Sequence, residues 1–358
     1  MTGPLDPDPG GDPLPAPGSH APEPTPETDA PTSTAPVVDA DGLPRLGILS
    51  LEGRSVPALY LVGWIGSLMG GSTILVSFFA AGSAAARWLF LAGLVVLALG
   101  VFAAAGSQAV ERAKRPSLPF RGASPVLAFV VVVVFSLLAL VIVLAPMSAL
   151  GLDPSSPVAT AISLAITTAI FLAVVQAVVV GPGAMTWREM GFGVPAREAL
   201  AQLGVGIALA PLVVVVGLVL TAILSALLAP PPTTLPASGN VLGLLANLLS
   251  AAVLAPIGEE VFFRGYATTA WARATGTRPA IVRGAVFFAF AHVVTVFSAT
   301  FTSGLQVAAV EFLGLLPAGI ALGWVFLARR SVWASIGLHG AYNAIQLLLV
   351  FAILRGGG

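Results

Sequence analysis

The stretch that decides the fold is VLGLLANLLSAAVLAPIGEEVFFRGY, residues 241–266. Residues 241–258 carry no charge, and two adjacent glutamates, Glu259 and Glu260, follow directly, with Arg264 shortly after them. An apolar run of about 20 residues is long enough to cross a bilayer as a helix. A charge at the centre of a bilayer costs about 2.5–3.5 kcal/mol. Two carboxylates and a guanidinium at the end of such a segment therefore indicate a functional role.

The whole composition is that of a membrane protein. The 358 residues are 57% hydrophobic and 9% charged, whereas about 25% of the residues of a soluble domain are charged. The absence of cysteine excludes disulfides, thiolate metal sites and a cysteine nucleophile. The formal net charge is zero. We therefore expect the lipid bilayer, and no nucleic acid, among the partners.

Repeated apolar runs predict an all-α polytopic membrane protein with about nine transmembrane helices. The predicted spans cover residues 57–81, 86–106, 125–147, 158–180, 199–228, 241–263, 280–299, 305–327 and 332–353. All basic residues except Arg87 and Arg355 fall in alternate connecting segments. Because cytoplasmic loops are enriched in lysine and arginine, we expect a multi-pass protein of the cell membrane with a cytoplasmic N-terminus.

The chain divides into three regions. Residues 1–44 are rich in proline and acidic residues and contain no lysine or arginine, which predicts a disordered cytoplasmic tail. Residues 45–184 form an accessory transmembrane region, because the first four spans contain no histidine, aspartate or glutamate. Residues 185–353 contain the intramembrane polar side chains, so we predict the catalytic core in these C-terminal helices.

The polar side chains of the last four spans fall into spaced pairs. They are Glu259, Glu260, Arg264, His292, Glu311, His339 and Asn343. Residues four apart share a helix face, so Glu260 is expected to pair with Arg264. Adjacent helical residues diverge by about 100°, which leaves Glu259 on another face. His339 and Asn343 are also four apart and project from one face of the last span.

The predicted topology brings three helices together at one depth. Span six runs toward the cytoplasm and ends near Glu259, while spans seven and nine start there and carry His292 and His339 several residues in. A carboxylate base beside an imidazole or a metal ion activates water, and a second imidazole and an amide stabilise an oxyanion. Glu311 lies in span eight, where we predict a hydrogen bond to His292 or to a backbone group.

A purely structural role for these residues is an alternative interpretation. Glu260 and Arg264 can form an ion pair that only stabilises the end of a helix. A single membrane histidine can serve only to hydrogen-bond another helix. A scaffold, however, does not need a free carboxylate, two histidines and an asparagine together in an apolar bundle.

Three motifs in this order resemble those of the CPBP intramembrane proteases, a family that includes the CAAX-processing Rce1-type endopeptidases and the bacterial Abi proteins. EEVFFR (259–264) is similar to EExxxR, FAFAH (288–292) to FxxxH, and HGAYN (339–343) to HxxxN. The stretch WREMGFG (187–193) leads into this region. The resemblance covers about 185–350, and it implies an all-α fold and a peptide hydrolase.

The resemblance also implies a role for each motif residue. Glu259 is the base that activates water, assisted by His292, while Glu260 and Arg264 orient the end of the helix. Phe288 begins the FxxxH motif and supports His292 one turn later. The members have been described as metalloproteases and also as metal-independent glutamate proteases.

The last motif and the cofactor follow from the same resemblance. His339 and Asn343 form the oxyanion site. Two histidines and a carboxylate are enough for a zinc site with an open position, so Glu259, His292 and His339 are the candidate ligands if zinc is bound. The implied substrate is a membrane-associated peptide or protein, approached from the cytoplasm. The CAAX specificity itself transfers poorly, because nothing in the sequence identifies a prenylated partner.

Two functions of other classes remain. A proton-coupled transporter also uses intramembrane glutamate and histidine, and it predicts internal inverted repeats, of which the sequence shows no convincing sign. A catalytically silent membrane interaction protein predicts that a Glu259→Ala variant behaves as wild type.

Overall fold

A computed structural model describes residues 48–51, 54–80, 82–153, 156–228, 238–294 and 300–356. Its described part contains nine long helices in the order that the sequence predicts. They are α1 (Ala58–Phe79), α2 (Ala84–Ala113), α3 (Pro125–Ala149), α4 (Pro157–Val180), α5 (Ala196–Leu227), α6 (Val241–Thr275), α7 (Thr277–Val293), α8 (Phe301–Arg329) and α9 (Val332–Gly356). The acidic tail predicted over residues 1–44 lies outside the described residues.

The helical membrane fold is confirmed. Eight of the described helices are long and apolar enough to cross a bilayer. The exception is α7, which has 17 residues and carries Arg278 and Arg283 in its first two turns. The corresponding predicted span, 280–299, is therefore shorter than expected, and residues 295–299 are not among those described.

A small hairpin precedes the helices and was not predicted. Strands β1 (Ile48–Leu51) and β2 (Arg54–Pro57) pair antiparallel, with Leu51 opposite Arg54. Strands of four residues are too short to show a clear alternation of apolar and polar positions. The hairpin leads directly into α1.

Local capping fixes where several helices begin. In each case a side-chain oxygen accepts a hydrogen bond from a backbone amide of the first turn, which satisfies one of the groups that a helix start leaves unpaired. The capping residues are Ser83 for α2, Ser156 for α4, Asn240 for α6 and Thr300 for α8.

Helix α6 is longer and less regular than predicted. It contains two π-helical segments, Leu248–Leu254 and Val261–Thr268, on either side of a short α-helical segment, Ala255–Glu260. Such π segments frequently occur at functional sites. The expectation that the helix ends near residue 263 is wrong, because α6 continues to Thr275. Arg264 does not have to reach water, since its charge is paired inside the bundle.

An aromatic layer joins the accessory helices to α6. The ring of Phe129 on α3 lies 5.9 Å from Phe263 and 5.3 Å from Phe287 on α7. Phe171 on α4 lies 5.2 Å from Phe262. Helices α3 and α4 thus pack on the segment that follows the two glutamates. The boundary at residues 184/185 stays a prediction.

Close backbone contacts at glycine set the positions of α4, α6 and α9. A methyl group on Gly258 would lie 3.0 Å from the Thr168 Cα atom of α4. A methyl group on Gly340 of α9 would lie 2.5 Å from the Ala252 carbonyl oxygen of α6. Gly258 thus lets α4 approach α6 beside Glu259, and Gly340 lets α9 approach α6 beside His339.

Candidate active site

Glu259 faces two histidines from two other helices. Its Oε2 atom lies 4.0 Å from Nε2 of His292 on α7 and 3.9 Å from Nε2 of His339 on α9. The Glu259 side chain is 20% exposed. The structure thus brings together the three residues that the sequence assigns to the reaction.

Glu260 is completely buried and has two charged or polar partners. Its Oε1 atom lies 2.8 Å from Arg264 Nη1 and 2.8 Å from His339 Nδ1. The predicted pair with Arg264 is present, but it is not at a helix end. The sequence analysis missed the second contact, which makes Glu260 part of the same site as Glu259.

These contacts fix the tautomers of both histidines. His292 Nδ1 lies 2.8 Å from the backbone carbonyl oxygen of Phe288, which can only accept, so Nδ1 carries the hydrogen. His339 Nδ1 donates in the same way to the Glu260 carboxylate. In the neutral rings, both Nε2 atoms are therefore acceptors. Both are directed toward Glu259, which is also an acceptor.

Phe288 is the aromatic centre of the site. Its ring centroid lies 4.5 Å from that of His292 and 5.5 Å from that of His339. The guanidinium carbon of Arg264 lies 4.3 Å from the same centroid, a distance at which a cation is attracted to an aromatic face. One buried ring thus supports both imidazoles and the arginine, in agreement with the supporting role predicted for this position.

Asn343 connects α9 to the first π-helical segment of α6. Its Nδ2 atom donates a hydrogen bond of 2.8 Å to the Ala251 carbonyl oxygen. An amide nitrogen has two hydrogens, so one remains for another acceptor. Asn343 and His339 lie on one face of α9 as predicted, and both contact α6.

Several buried polar atoms of this site have no hydrogen-bond partner among the described residues. They are Glu259 Oε2, Glu260 Oε2, Arg264 Nε and Arg264 Nη2. Buried polar atoms in proteins are nearly always paired, with protein groups or with water. Their concentration in this site indicates that polar molecules, water or substrate, complete it.

The fit of a zinc ion can be tested on these distances. With bonds of about 2.0–2.2 Å, two ligands of one tetrahedral zinc lie about 3.3–3.5 Å apart, whereas Glu259 Oε2 lies 3.9–4.0 Å from the two Nε2 atoms. Within the described part of the chain, no group of three or more His, Asp or Glu residues has an arrangement that could hold a metal ion. As they are placed, Glu259 and the two histidines are separated by slightly more than tetrahedral zinc requires.

Glu311 stands apart from this constellation. It is 6% exposed on α8, and the hydrogen bond predicted to His292 or to a backbone group is not found among the described residues. It lies on the helix predicted as span eight, which packs against α7 and α5.

A loop from the predicted entry segment covers one end of α6. Met190 is fully buried against Gly265, and Gly191 has a φ of 92°, a value that glycine adopts without strain. Glu189 Oε1 lies 2.6 Å from Arg273 Nη2. The Thr186 backbone amide lowers the pKa of Glu189; the Thr186 hydroxyl and Arg273 also lower it, whereas partial burial opposes them. The sequence did not single out this ion pair.

Comparison with known proteins gives one match. Residues 241–345 match a family model described as type II CAAX prenyl endopeptidase Rce1-like. The matched segment is less than a third of the chain, begins at α6, and contains all three motifs. It confirms the resemblance on which the sequence analysis relied. No curated protein and no solved structure matches this chain.

Proposed function

Because residues 241–345 belong to the Rce1-like family of type II CAAX prenyl endopeptidases, we propose that this protein is an intramembrane endopeptidase in which Glu259 activates the attacking water. The observation that carries the proposal is the position of Glu259 Oε2, which lies within 4.0 Å of two imidazole nitrogens and has no hydrogen-bond partner among the described residues.

The attacking water is held by two of the three acceptors of the site, Glu259 and His292. Glu259 Oε2 and the two Nε2 atoms surround one space, and in the neutral rings none of them can donate to another. A water molecule in this space donates one hydrogen to Glu259 and the other to His292. Its lone pair then remains available for attack on a peptide carbonyl, while the carboxylate acts as a general base.

The proposed reaction balances in two steps. The water oxygen forms a bond to the carbonyl carbon, and its proton passes to Glu259, which gives a tetrahedral oxyanion. When the oxyanion collapses, the carbon–nitrogen bond breaks, and Glu259 returns the proton to the leaving amine. Glu259 is then a carboxylate again, and the products are a carboxylic acid, which keeps the second hydrogen of the water, and an amine.

His339 and Asn343 stabilise the oxyanion in this proposal. Asn343 has one amide hydrogen that is not used by Ala251. His339 donates from Nε2 when its ring is protonated. The Glu260 carboxylate accepts a hydrogen bond from Nδ1, which directs Nε2 toward the reacting atoms.

Glu260 and Arg264 act as positioning residues. They do not touch the reacting atoms; they fix the imidazole of His339 and connect α9 to α6. Both side chains are almost completely buried, so removal of either partner leaves an uncompensated charge inside the membrane-spanning bundle.

The proposed substrate is a membrane-associated peptide or protein. Glu259 and His292 are the more exposed members of the site, at 20% and 28%, while His339 and Glu260 are buried. A peptide therefore approaches from the side of Glu259 and His292. The proposal puts the N-terminus and the basic loops in the cytoplasm and the protein in the cell membrane, according to the distribution of basic residues.

The test is proteolysis by the purified protein in liposomes. Quenched membrane peptides, including a prenylated peptide with a CAAX end, are offered to wild type, Glu259→Gln and His292→Ala. The matched control is Glu198→Gln, at an exposed position of α5. We expect cleavage by wild type and the control only. Full activity in Glu259→Gln overturns the mechanism. An absence of cleavage, with Glu259-dependent proton flux in the same liposomes, indicates a transporter instead.

A further inference from the structure

A cavity with several polar lining residues lies between α1 and α2, on helices outside the proposed active site. Its volume is about 490 Å³, which is within the range of about 300–1,000 Å³ found for small-molecule sites. Two aromatic residues and four polar residues contribute to its lining: Tyr60, Trp64, Ser67, Ser107, Gln108 and Glu111.

Ser107 indicates that this cavity is built to bind something. It is 2% exposed, and its Oγ atom is buried without a hydrogen-bond partner. A serine inside a helix usually bonds the carbonyl oxygen of the preceding turn, as Ser163 does with Ala159 at 2.8 Å. Ser107 is one of the residues that line the cavity, so a ligand bound there can supply the missing partner of its hydroxyl.

The lining has the chemistry of a site for an ammonium group. Glu111 is the only ionic side chain in the lining, and it is acidic. Tyr60 and Trp64 are one helical turn apart on α1, and aromatic faces of this kind attract cations. Gln108 is anchored, since its Oε1 accepts a hydrogen bond of 2.5 Å from the Ser124 amide. The carboxylate of Glu111 and the aromatic faces favour a positively charged ligand, and the hydroxyl of Ser107 can accept a hydrogen bond from it.

The cavity lies at the level of lipid headgroups. Helix α2 has no charged residue between Trp88 and Val110, a stretch that spans about 34 Å and thus the hydrocarbon core. Glu111 begins the charged end of the helix. Tyr60 and Trp64 are exposed residues of the type enriched at membrane interfaces. A lipid can enter from the bilayer, because among the described elements α1 packs mainly on α2.

From these observations we infer that the cavity binds the headgroup of a phospholipid with a primary ammonium group, such as phosphatidylethanolamine. The ammonium donates to Glu111 and Ser107 and contacts the ring of Trp64. The ammonium takes the place of Lys114, which forms an exposed ion pair of 3.2 Å with Glu111, and the released Lys114 binds the phosphate outside the cavity. The acyl chains follow the exposed apolar surface of α1.

The experiment uses the full-length protein, delipidated in detergent and titrated with lipid. Native mass spectrometry measures binding of phosphatidylethanolamine, phosphatidylcholine and phosphatidylglycerol. Phosphatidylethanolamine is expected to bind at least about tenfold more tightly than phosphatidylglycerol, since only the former presents a cation. Glu111→Gln and Trp64→Leu are expected to abolish this preference.

Two matched controls keep the result specific. Glu198→Gln removes an exposed glutamate from α5, and Trp88→Leu removes an exposed tryptophan from the opposite end of α2. Both are expected to bind phosphatidylethanolamine as wild type does. Equal binding by Glu111→Gln and wild type overturns the inference, as does a preference for phosphatidylglycerol. Proteolysis by the same variants is measured in parallel but does not decide whether the lipid binds. Failure of the lipid-binding test therefore leaves the proposed protease function unaffected.

Discussion

The Nδ1 atom of His339 and the Oε1 atom of Glu260 lie 2.8 Å apart and form a hydrogen bond inside the bundle. The other nitrogen of the same ring faces Glu259 at 3.9 Å. One imidazole therefore contacts both glutamates of the Glu-Glu pair, one on each side. Glu260 binds and orients the ring, while Glu259 remains available for a reaction.

Glu259→Gln is expected to abolish activity without loss of structure. The amide keeps the size of the side chain but cannot accept the proton of the water, so kcat should fall by about 10²–10⁴. Initial rates in liposomes give the loss, and the thermal unfolding midpoint in detergent should stay at the wild-type value. A fall in the midpoint together with the rate would assign Glu259 a structural role.

Glu260→Gln is expected to lower stability as well as activity. Arg264 then keeps a buried positive charge without a carboxylate, and loss of one partner of a buried pair costs about 3–5 kcal/mol. The free energy of unfolding in denaturant measures this loss, with Glu198→Gln as the exposed control. If Glu260→Gln unfolds like wild type, the buried pair does not hold the helices together.

Gly340→Ala is expected to reduce activity because it increases the distance between His339 and the two glutamates. Its methyl group would lie 2.5 Å from the Ala252 carbonyl oxygen, so α9 must shift away from α6 and move His339 from both glutamates. Gly204→Ala on α5 is the control, because nothing lies within 4 Å of the added methyl group there. The control should keep full activity, since alanine favours a helix by about 0.5–1 kcal/mol over glycine. Comparable rates for the two variants would show that the contact is not required.

Chelation is expected to leave activity unchanged. Glu259 Oε2 lies 4.0 Å from His292 Nε2 and 3.9 Å from His339 Nε2, wider than one zinc ion requires, so the proposed reaction depends on the carboxylate alone. Rates are measured after dialysis against EDTA and 1,10-phenanthroline, and the metal content is determined on the same samples. Loss of activity that zinc restores would show that the site closes around a metal.

The ion pair between Glu189 and Arg273 is expected to stabilise the folded protein at neutral pH but not at acidic pH. Its pKa is lowered from 4.5 in the folded protein, first by the Thr186 amide and then by the Thr186 hydroxyl and Arg273. The unfolded chain therefore binds the proton more readily, and the contribution is lost as the pH falls below 4.5. Because Glu189 is half-exposed, the contribution is about 0.2–1 kcal/mol.

Unfolding of Glu189→Gln against pH tests this expectation. The difference in unfolding free energy between wild type and variant should be present at neutral pH and shrink as the pH falls below 4.5. Glu198→Gln should show no comparable difference, because Glu198 has no ion pair among the described residues. A difference that is constant across this range would contradict the lowered pKa.

The sequence predicted the helices better than their ends. Apolar runs of membrane length show where each span lies, and the capping residues Ser83, Ser156 and Asn240 fix local starts. The end of α6 was predicted too early because Arg264 looked like a residue that needs water. Its pairing depends on a neighbour four positions away and on burial by other helices, and hydropathy does not report burial of a paired charge.

The sequence predicted which residues form the candidate site, but it did not predict how their side chains are arranged. Helical spacing separated Glu259 from Glu260 and paired Glu260 with Arg264, and these relationships exist within one helix. The contact of His339 with Glu260, the bond of Asn343 to Ala251 and the position of Phe288 between two histidines join residues of different helices. Such contacts depend on how each helix is rotated about its axis and on how deep it lies in the membrane. The spacing of residues in the sequence gives neither quantity.

By itself, the sequence determined a helical membrane protein and the residues available for chemistry, because the cost of charge in a bilayer leaves few reasons for Glu259, His292 and His339 to be there. Only the tertiary structure decided which atoms meet. The close approach of α9 to α6 at Gly340 puts one imidazole between two carboxylates, and the buried arginine neutralises one of them. The sequence determines which residues are neighbours on the same helix, whereas the packing of the helices determines which residues of different helices are in contact.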